Sequence, residues 1–317
     1  MTVPWREAWH DALYGPRGFY RRAEGPAGHF TTSTHGPLGT LLAEALGGLA
    51  DREGATHVVD VGCGRGELLA QLHAVRPDLR LTGVDVVDRP PSLPDAVAWL
   101  RSPGGGGLPD GLTALTDVLV VAHEWLDVVP CTVAEVVAPG RVAVLLVDPT
   151  TGEESEGGPL SADELDWCAR HWPLDDLPVG ARIEVGATRD AAWADLVRRV
   201  RRGTVLAVDY GHTRGDRPVH GSLTAYRSGA LVDPVPDGSC DLTAHVAVDA
   251  LEHDEVSTQR DALRALGLSA APPDVALARS DPAGYLAALA RSSTTAALTD
   301  PRGLGAFAWV VRRVPRA

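Results

Sequence analysis

The chain reads as an α/β protein built on an open, mostly parallel sheet, and three observations predict this. Apolar, β-branched runs at His57–Val61, Leu81–Val86, Val118–Ala122 and Val205–Val208 have the near-continuous hydrophobicity of strands covered on both faces. A glycine turn, Gly62-Cys63-Gly64-Arg65-Gly66, and a helical pattern over Glu67–Val75 separate the first two, the order a right-handed crossover requires. The second strand carries Asp85 at its carboxyl end, the edge where open α/β sheets bind ligands.

The remaining elements follow in chain order. Trp5, Trp9, Ala12 and Leu13, then Leu38, Leu41, Leu42, Ala45, Leu46 and Leu49, repeat at helical spacing and make residues 4–50 a helical preface. Between those helices runs a Gly/Pro-rich loop from Tyr14 to Ser33, of a length that tends to be functional or disordered. Pro103–Gly107 reads as a mobile loop. Thr132–Val137 and Arg141–Val147 flank Pro139-Gly140 as a β-hairpin, and Glu153–Gly158 reads as a solvated acidic turn. Ala162–His171 and Arg189–Arg201 read as helices, and Phe307–Val314 as a closing strand. The expected division is a cap at 1–50, a core at 51–130 and 204–317, and an inserted subdomain at 131–203.

Composition narrows the function classes. The 317 residues, 44% of them hydrophobic, suffice for one large domain or a core with a subdomain. A formal charge of -13, with every one of the 29 basic residues an arginine, argues against a nucleic-acid partner. Cys63, Cys131, Cys168 and Cys240 form no C-x-x-C pair, so neither a zinc site nor a disulfide framework is expected. With no charged-then-apolar leader and no apolar run of membrane-spanning length, a soluble, cytoplasmic protein is expected.

The spacing of the turn separates two cofactor chemistries. A dinucleotide fingerprint is G-x-G-x-x-G, whereas here the glycines fall at 62, 64 and 66, with Glu67 following. A diphosphate favours helix amides and a neutral or positive lining, so the acids Asp60 and Glu67 count against an NAD-dependent dehydrogenase. G-x-G-x-G after a hydrophobic-Asp strand, with an acid 19 residues beyond Gly66, resembles the class I S-adenosylmethionine (SAM) methyltransferases. On that reading Asp85 accepts the ribose hydroxyls, or is a turn-capping Asp. Asp60 holds either the loop amides or the cofactor's ammonium group, and side chains at Gly62, Gly64 or Gly66 would obstruct its methionine portion. Val86 completes the cofactor wall.

At the end of the third core strand, Glu124 and Asp127 share a face if a helical turn starts there. They can then orient a cationic nucleophile and take its proton. Alternatively Asp127 caps a helix and Glu124 points to solvent. His123 is a candidate general base or a structural strand-end residue. Asp209 ends the fourth strand and is a candidate pocket residue, and the polar loops Gly221–Arg227 and Cys240–Val246 are able to wall a pocket.

Taken in order, these segments resemble the MidA family of SAM-dependent methyltransferases, which includes the mitochondrial protein arginine methyltransferase that assists assembly of respiratory complex I. Gly18-Phe19-Tyr20 resembles its Gly-Tyr-Tyr element and Gly28–His35 its Gly-Asp-Phe-x-Thr-Ser-Pro-Glu loop. Gly62–Leu68 matches its glycine motif and His123–Pro130 its Asn-Glu-x-x-Asp-Ala-x-Pro element. Arg182–Val185, Val208–Gly211, Gly221–Arg227, Asp241–Val246 and Gly303–Phe307 match further segments. The departures are His29, His35 and His123, where the family has Asp, Glu and Asn, and the segment after Asp85.

The resemblance implies a class I Rossmann-like sheet, mostly parallel with an antiparallel C-terminal strand, a helical N-terminal preface and an α+β insertion. It also implies SAM as cofactor, no metal, and methylation of a protein arginine by in-line transfer, with Glu124, Asp127 and His123 at the acceptor. A small-molecule acceptor, or a SAM-binding assembly factor without catalysis, remain the alternatives.

Overall fold

The computed structural model describes residues 1–22, 33–175 and 177–315. Seven strands form the main sheet: β1 (His57–Val61), β2 (Arg80–Asp85), β3 (Val97–Arg101), β4 (Leu115–His123), β5 (Val200–Asp209), β6 (Glu255–Thr258) and β7 (Ala308–Val314). They lie in the order β6-β7-β5-β4-β1-β2-β3. β1 to β5 pair in parallel, and β7 runs antiparallel to its neighbours β5 and β6. This is the expected mostly parallel sheet with a reversed C-terminal strand. The strand order reverses between the parallel neighbours β1 and β4, which opens a crevice at their carboxyl ends.

The strands read from the sequence are the interior ones. β3 and β6 are additions, and both are edge strands: β6 is largely exposed and carries no apolar run, whereas Val97–Leu100 of β3 is a short apolar run that the sequence reading passed over. One face of the sheet is covered by α2 (Gly36–Arg52) and α3 (Glu67–Val75), whose Leu42, Leu46, Leu68, Leu69 and Leu72 pack on Val58, Leu81, Leu119 and Leu206. The other is covered by α5 (Ala187–Arg198), through Ala192, Trp193 and Leu196 against Val59, Val120 and Val205. Burial of such aliphatic side chains, about 1.5–3 kcal/mol each, is the main stabilising contribution to the sheet.

A second, antiparallel sheet contains the hairpin Thr132–Ala138 and Arg141–Val147, with Arg182–Val185 on one side and the N-terminal Val3–Pro4 on the other. The acidic segment expected as a solvated turn is instead the strand Glu154–Pro159, paired to Arg141–Val147. Its acids are tolerated there because Glu156 meets Arg141 and Glu154 meets Arg182. α1 (Trp5–Tyr14) packs Trp5, Trp9 and Leu13 against Val133, Leu145 and Leu242, which ties the preface to the second sheet. α4 (Ala162–His171) begins at a Ser161–Glu164 capping box.

The Pro103–Gly107 loop, expected to be mobile, is pinned. The Gly104 amide donates to Ser102 Oγ at 3.0 Å, Ser102 Oγ donates to the Gly107 carbonyl at 2.8 Å, and Trp125 Nε1 donates to the Gly105 carbonyl at 3.2 Å. A Cβ on Gly104 would sit 2.8 Å from Tyr14 Cδ1, so the loop and α1 pack without room for a side chain. Of the Tyr14–Ser33 loop, positions 23–32, including Gly28 and His29, lie outside the described residues. Among the described residues no helix is long and apolar enough to cross a membrane.

Candidate active site

The glycine turn leaves β1 with Gly62, Gly64 and Gly66 all left-handed, at φ 73°, 61° and 80°. Its Gly62 amide donates to the Val84 carbonyl at 2.9 Å, which fastens the turn to β2. A Cβ at Gly62 would lie 3.0 Å from Trp125 Cδ1, and one at Gly66 2.7 Å from Leu93 Cδ1. Glycine is therefore favoured at Gly62 and Gly66 by backbone conformation and by protein neighbours, whatever clearance a cofactor adds. Gly62 and Gly64 line the cavity at the sheet's carboxyl edge, and Gly66 sits behind it.

That cavity brings together Asp60, Gly62, Gly64, Glu67, Asp85, Val86, His123, Glu124 and Asp127. Asp85 Oδ2 accepts the Gly64 amide at 2.8 Å and Oδ1 the Val87 amide at 3.3 Å, while burial pushes its carboxyl up to about 6. Glu67 Oε2 accepts the Arg65 amide at 3.0 Å. Asp60 is buried on β1, and burial, then the charges of Asp85 and Glu67, hold its pKa well above the carboxylate range. This acidic floor suits a sulfonium and an ammonium better than a diphosphate. The carboxyls of Asp85, Asp60 and Glu67 around the glycine turn together fit SAM.

Beyond β4 the chain does not form the expected helical turn. Glu124 is left-handed at φ 51°, its amide donates to the Val208 carbonyl at 2.8 Å, and residues 124–127 form a non-helical turn. Asp209 Oδ2 accepts the Leu126 amide at 2.9 Å and the Asp127 amide at 3.2 Å. Asp209 thus sits behind the cavity wall and shapes the turn, whereas the sequence suggested a lining residue. Glu124 and Asp127 still reach the same cavity, because the kink at Glu124 does what helical periodicity was expected to do.

Carboxyls dominate the electrostatics of this side. Glu124 is pushed up to about 8, by burial first and then by Asp127 and Asp241. Burial also raises Asp127 and Asp209, and takes Asp241 to about 7. Thr243 Oγ1 donates to Asp127 Oδ2 at 2.7 Å. Glu124 Oε1 and Asp127 Oδ1 are buried without a hydrogen-bond partner among the described residues. The buried Arg189 lowers Asp127 and Asp209 through space, but its donors go elsewhere. Its guanidinium donates to the carbonyls of Val129 at 3.1 Å, His245 at 2.8 Å and Asp127 at 2.8 Å. His123 Nε2 lies 2.8 Å from Ser33 Oγ and Nδ1 lies 3.3 Å from Glu124 Oε1, and burial pulls the imidazole down to about 4, so it is neutral and weakly basic. His35, another departure from the family pattern, lies 3.9 Å from Glu67 Oε1.

Several lining residues have no signal in the local sequence. Tyr14, Tyr20, Ser102 and Asp241 reach the cavity only through tertiary packing, and the Tyr20–Asp241 hydrogen bond of 2.6 Å spans 221 positions. Tyr20 belongs to a segment that resembles the MidA pattern, and Asp241 also lies in the polar loop Cys240–Val246 expected to be able to wall a pocket.

Residues 71–268, well over half of the chain, match the family described as "Putative S-adenosyl-L-methionine-dependent methyltransferase". No curated protein matches the chain. Among solved structures it is similar to a COG1565 superfamily member from Burkholderia thailandensis bound to S-adenosyl-homocysteine. The TM-score is 0.76 and the identity 20%, over 98% of this chain and 87% of that one. A native structure of a COG1565 superfamily protein from the same organism aligns with a TM-score of 0.75 and 21% identity, over the same 98% and 87%. Both share the fold. The chain belongs to the matched family and is a SAM-dependent methyltransferase.

Proposed function

We propose that this methyltransferase acts on a side-chain nitrogen of a protein arginine. The observation that carries the reading is the carboxylate pair Glu124 and Asp127 on the cavity wall, both raised by burial: the neighbour of Glu124 Oε1 is the neutral His123 at 3.3 Å, and Asp127 Oδ1 has no hydrogen-bond donor among the described residues. Buried carboxylates so thinly satisfied are costly to ionise. A guanidinium, charged at every accessible pH, presents a fork of N–H donors that matches them.

On the cofactor side, Asp85 would receive the ribose hydroxyls and Asp60 with Glu67 the ammonium end. Gly62, Gly64 and Val86 would wall the space around them, with Gly66 fixing the turn from behind. Bound SAM supplies a methyl group on a sulfonium, an electrophile that needs no metal. Glu124 and Asp127 would hold the guanidinium with one nitrogen toward the cofactor side and limit its rotation, the alignment on which such a transfer depends. Glu124 holds a proton up to a pH of about 8, so once the bound cation has ionised it the carboxylate can take the proton released as the nitrogen is alkylated. Neutral His123, beside Glu124, would steady that carboxyl.

In this reading residues 1–50 cap a core of 51–130 and 204–317, and the insertion 131–203 braces the acceptor loops. Glu184 supports the last point, since it accepts the amides of Ser222 at 2.9 Å and Leu223 at 3.2 Å. Incubation of the protein with labelled SAM and lysate of its source tests the reading. Label recovered as methylarginine from a protein band is expected. Label confined to small molecules would replace the acceptor class, and cofactor binding with no transfer would favour a non-catalytic assembly factor.

A further inference from the structure

The acceptor side holds a third carboxylate. Asp241 lies on the short strand Asp241–Thr243 and lines the same cavity as Glu124 and Asp127. Side chains two apart on a strand share a face. Thr243, two positions on, uses that face to donate to Asp127 Oδ2 at 2.7 Å. One strand therefore both fixes Asp127 and brings a further carboxyl beside it. The second fixed point comes from the N-terminal preface, where Tyr20 OH donates to Asp241 Oδ1 at 2.6 Å.

The tyrosines add a wall of a different kind. Tyr14 and Tyr20 both line the cavity, with ring centroids 5.5 Å apart at 38°, and Tyr14 OH donates to the Val128 carbonyl at 3.1 Å. Both rings are thus held by their hydroxyls, leaving aromatic surface beside three carboxyls. A compact ammonium offers three donors to such a site and loses a strong hydration shell. A guanidinium offers five donors in one plane, is more weakly hydrated, and stacks on aromatic faces.

We propose that Asp241, oriented by Tyr20, is the third carboxylate of the acceptor site, and that this set selects a guanidinium over an alkylammonium. The assignment rests on the reading that places the acceptor at Glu124 and Asp127. It adds a substrate-contacting residue from the far end of the chain and a positioning residue from the preface.

The test is calorimetric titration of N-ethylguanidine and n-butylamine into the full-length protein saturated with S-adenosylhomocysteine. Wild type should bind the guanidine about tenfold more tightly than the amine. Asp241→Asn should weaken guanidine binding by about tenfold or more, and Tyr20→Phe by roughly threefold, with S-adenosylhomocysteine affinity unchanged in both. Equal affinity for the two cations overturns the proposal, as does an Asp241→Asn protein with wild-type guanidine affinity. A parallel loss of S-adenosylhomocysteine affinity in the milder Tyr20→Phe variant also overturns it, since that marks a cofactor wall. Selective guanidine binding without methyl transfer to protein would sink the arginine reading alone. Transfer that survives Asp241→Asn undiminished would sink the third carboxylate alone.

Discussion

Asp209 Oδ2 accepts the Asp127 amide at 3.2 Å, so the acceptor turn hangs from the end of β5. The same oxygen takes the Leu126 amide at 2.9 Å, which leaves Asp209 Oδ1 buried and without a partner among the described residues. Asp209→Asn keeps an oxygen that accepts both amides and should retain kcat within a few fold. Asp209→Ala leaves two buried donors unmet, which costs about 1–3 kcal/mol, and releases the turn that carries Glu124 and Asp127. Its kcat should fall by about tenfold or more, with S-adenosylhomocysteine affinity close to wild type. Denaturant unfolding and steady-state kinetics on the pair check this, and an alanine variant with wild-type kcat would refute the role.

Glu124 gives a pH signature of two opposite signs. Burial, with Asp127 and Asp241 beside it, raises its folded-state pKa to about 8, so the folded protein keeps a proton that the unfolded chain loses in the ordinary carboxylate range. That contribution to stability is full below the unfolded value and is lost as pH rises through about 8. Above that pH, and without acceptor, Glu124→Gln should be more stable than wild type, by about 1–3 kcal/mol. Catalysis runs the other way, because only the ionised carboxylate holds a cation. Wild-type kcat/KM should rise with pH up to about 8, and Glu124→Gln should remove that limb and lower kcat/KM by about 100-fold. A flat wild-type profile would exclude Glu124 as the acceptor carboxylate.

These two residues also mark how far the sequence is readable. β1, β2, β4 and β5 are buried on both faces, so their apolar runs declare them, while β6 at one edge carries no such pattern and β3 at the other has only the short run Val97–Leu100. The glycine turn, Asp85, Glu124 and Asp127 are legible because each lies within a few residues of a strand's carboxyl end, where topology alone directs it to the crevice. The geometry at Glu124 is not legible, since a left-handed non-glycine residue leaves no compositional trace. Nor is the pairing of Tyr20 with Asp241, which become neighbours only once α1 has docked on the second sheet and the strand Asp241–Thr243 has paired with Thr224–Arg227.

Asp85 should govern the cofactor and little else. Its two oxygens hold the Gly64 and Val87 amides and face the cavity, so Asp85→Ala removes both a tie of the turn and the ribose acceptor. Affinity for S-adenosylhomocysteine should drop by about 10- to 100-fold, the range for lost charge-assisted hydrogen bonds. Burial raises this carboxyl to about 6, so wild-type affinity should also weaken as pH falls through that value and the carboxylate is protonated. Calorimetry across that range checks both statements. Affinity unchanged in the alanine variant would remove Asp85 from the cofactor site.

Two left-handed glycines separate backbone strain from packing. Gly54 has φ 66° and nothing within 4 Å of an added Cβ, whereas Gly66 has φ 80° and would place its Cβ 2.7 Å from Leu93 Cδ1. Gly54→Ala should therefore cost only the left-handed penalty, about 1–2 kcal/mol. Gly66→Ala adds displacement of Leu93, which packs in the core beneath the turn, and overpacking of that kind costs about 1–3 kcal/mol more. Because Gly66 also caps α3 and its amide donates to the Cys63 carbonyl at 2.8 Å, the shift should reach the turn and weaken S-adenosylhomocysteine binding. Gly54→Ala should leave that binding alone. Equal destabilisation of the two variants would mean that Leu93 yields freely and that the conformation alone makes Gly66 a glycine.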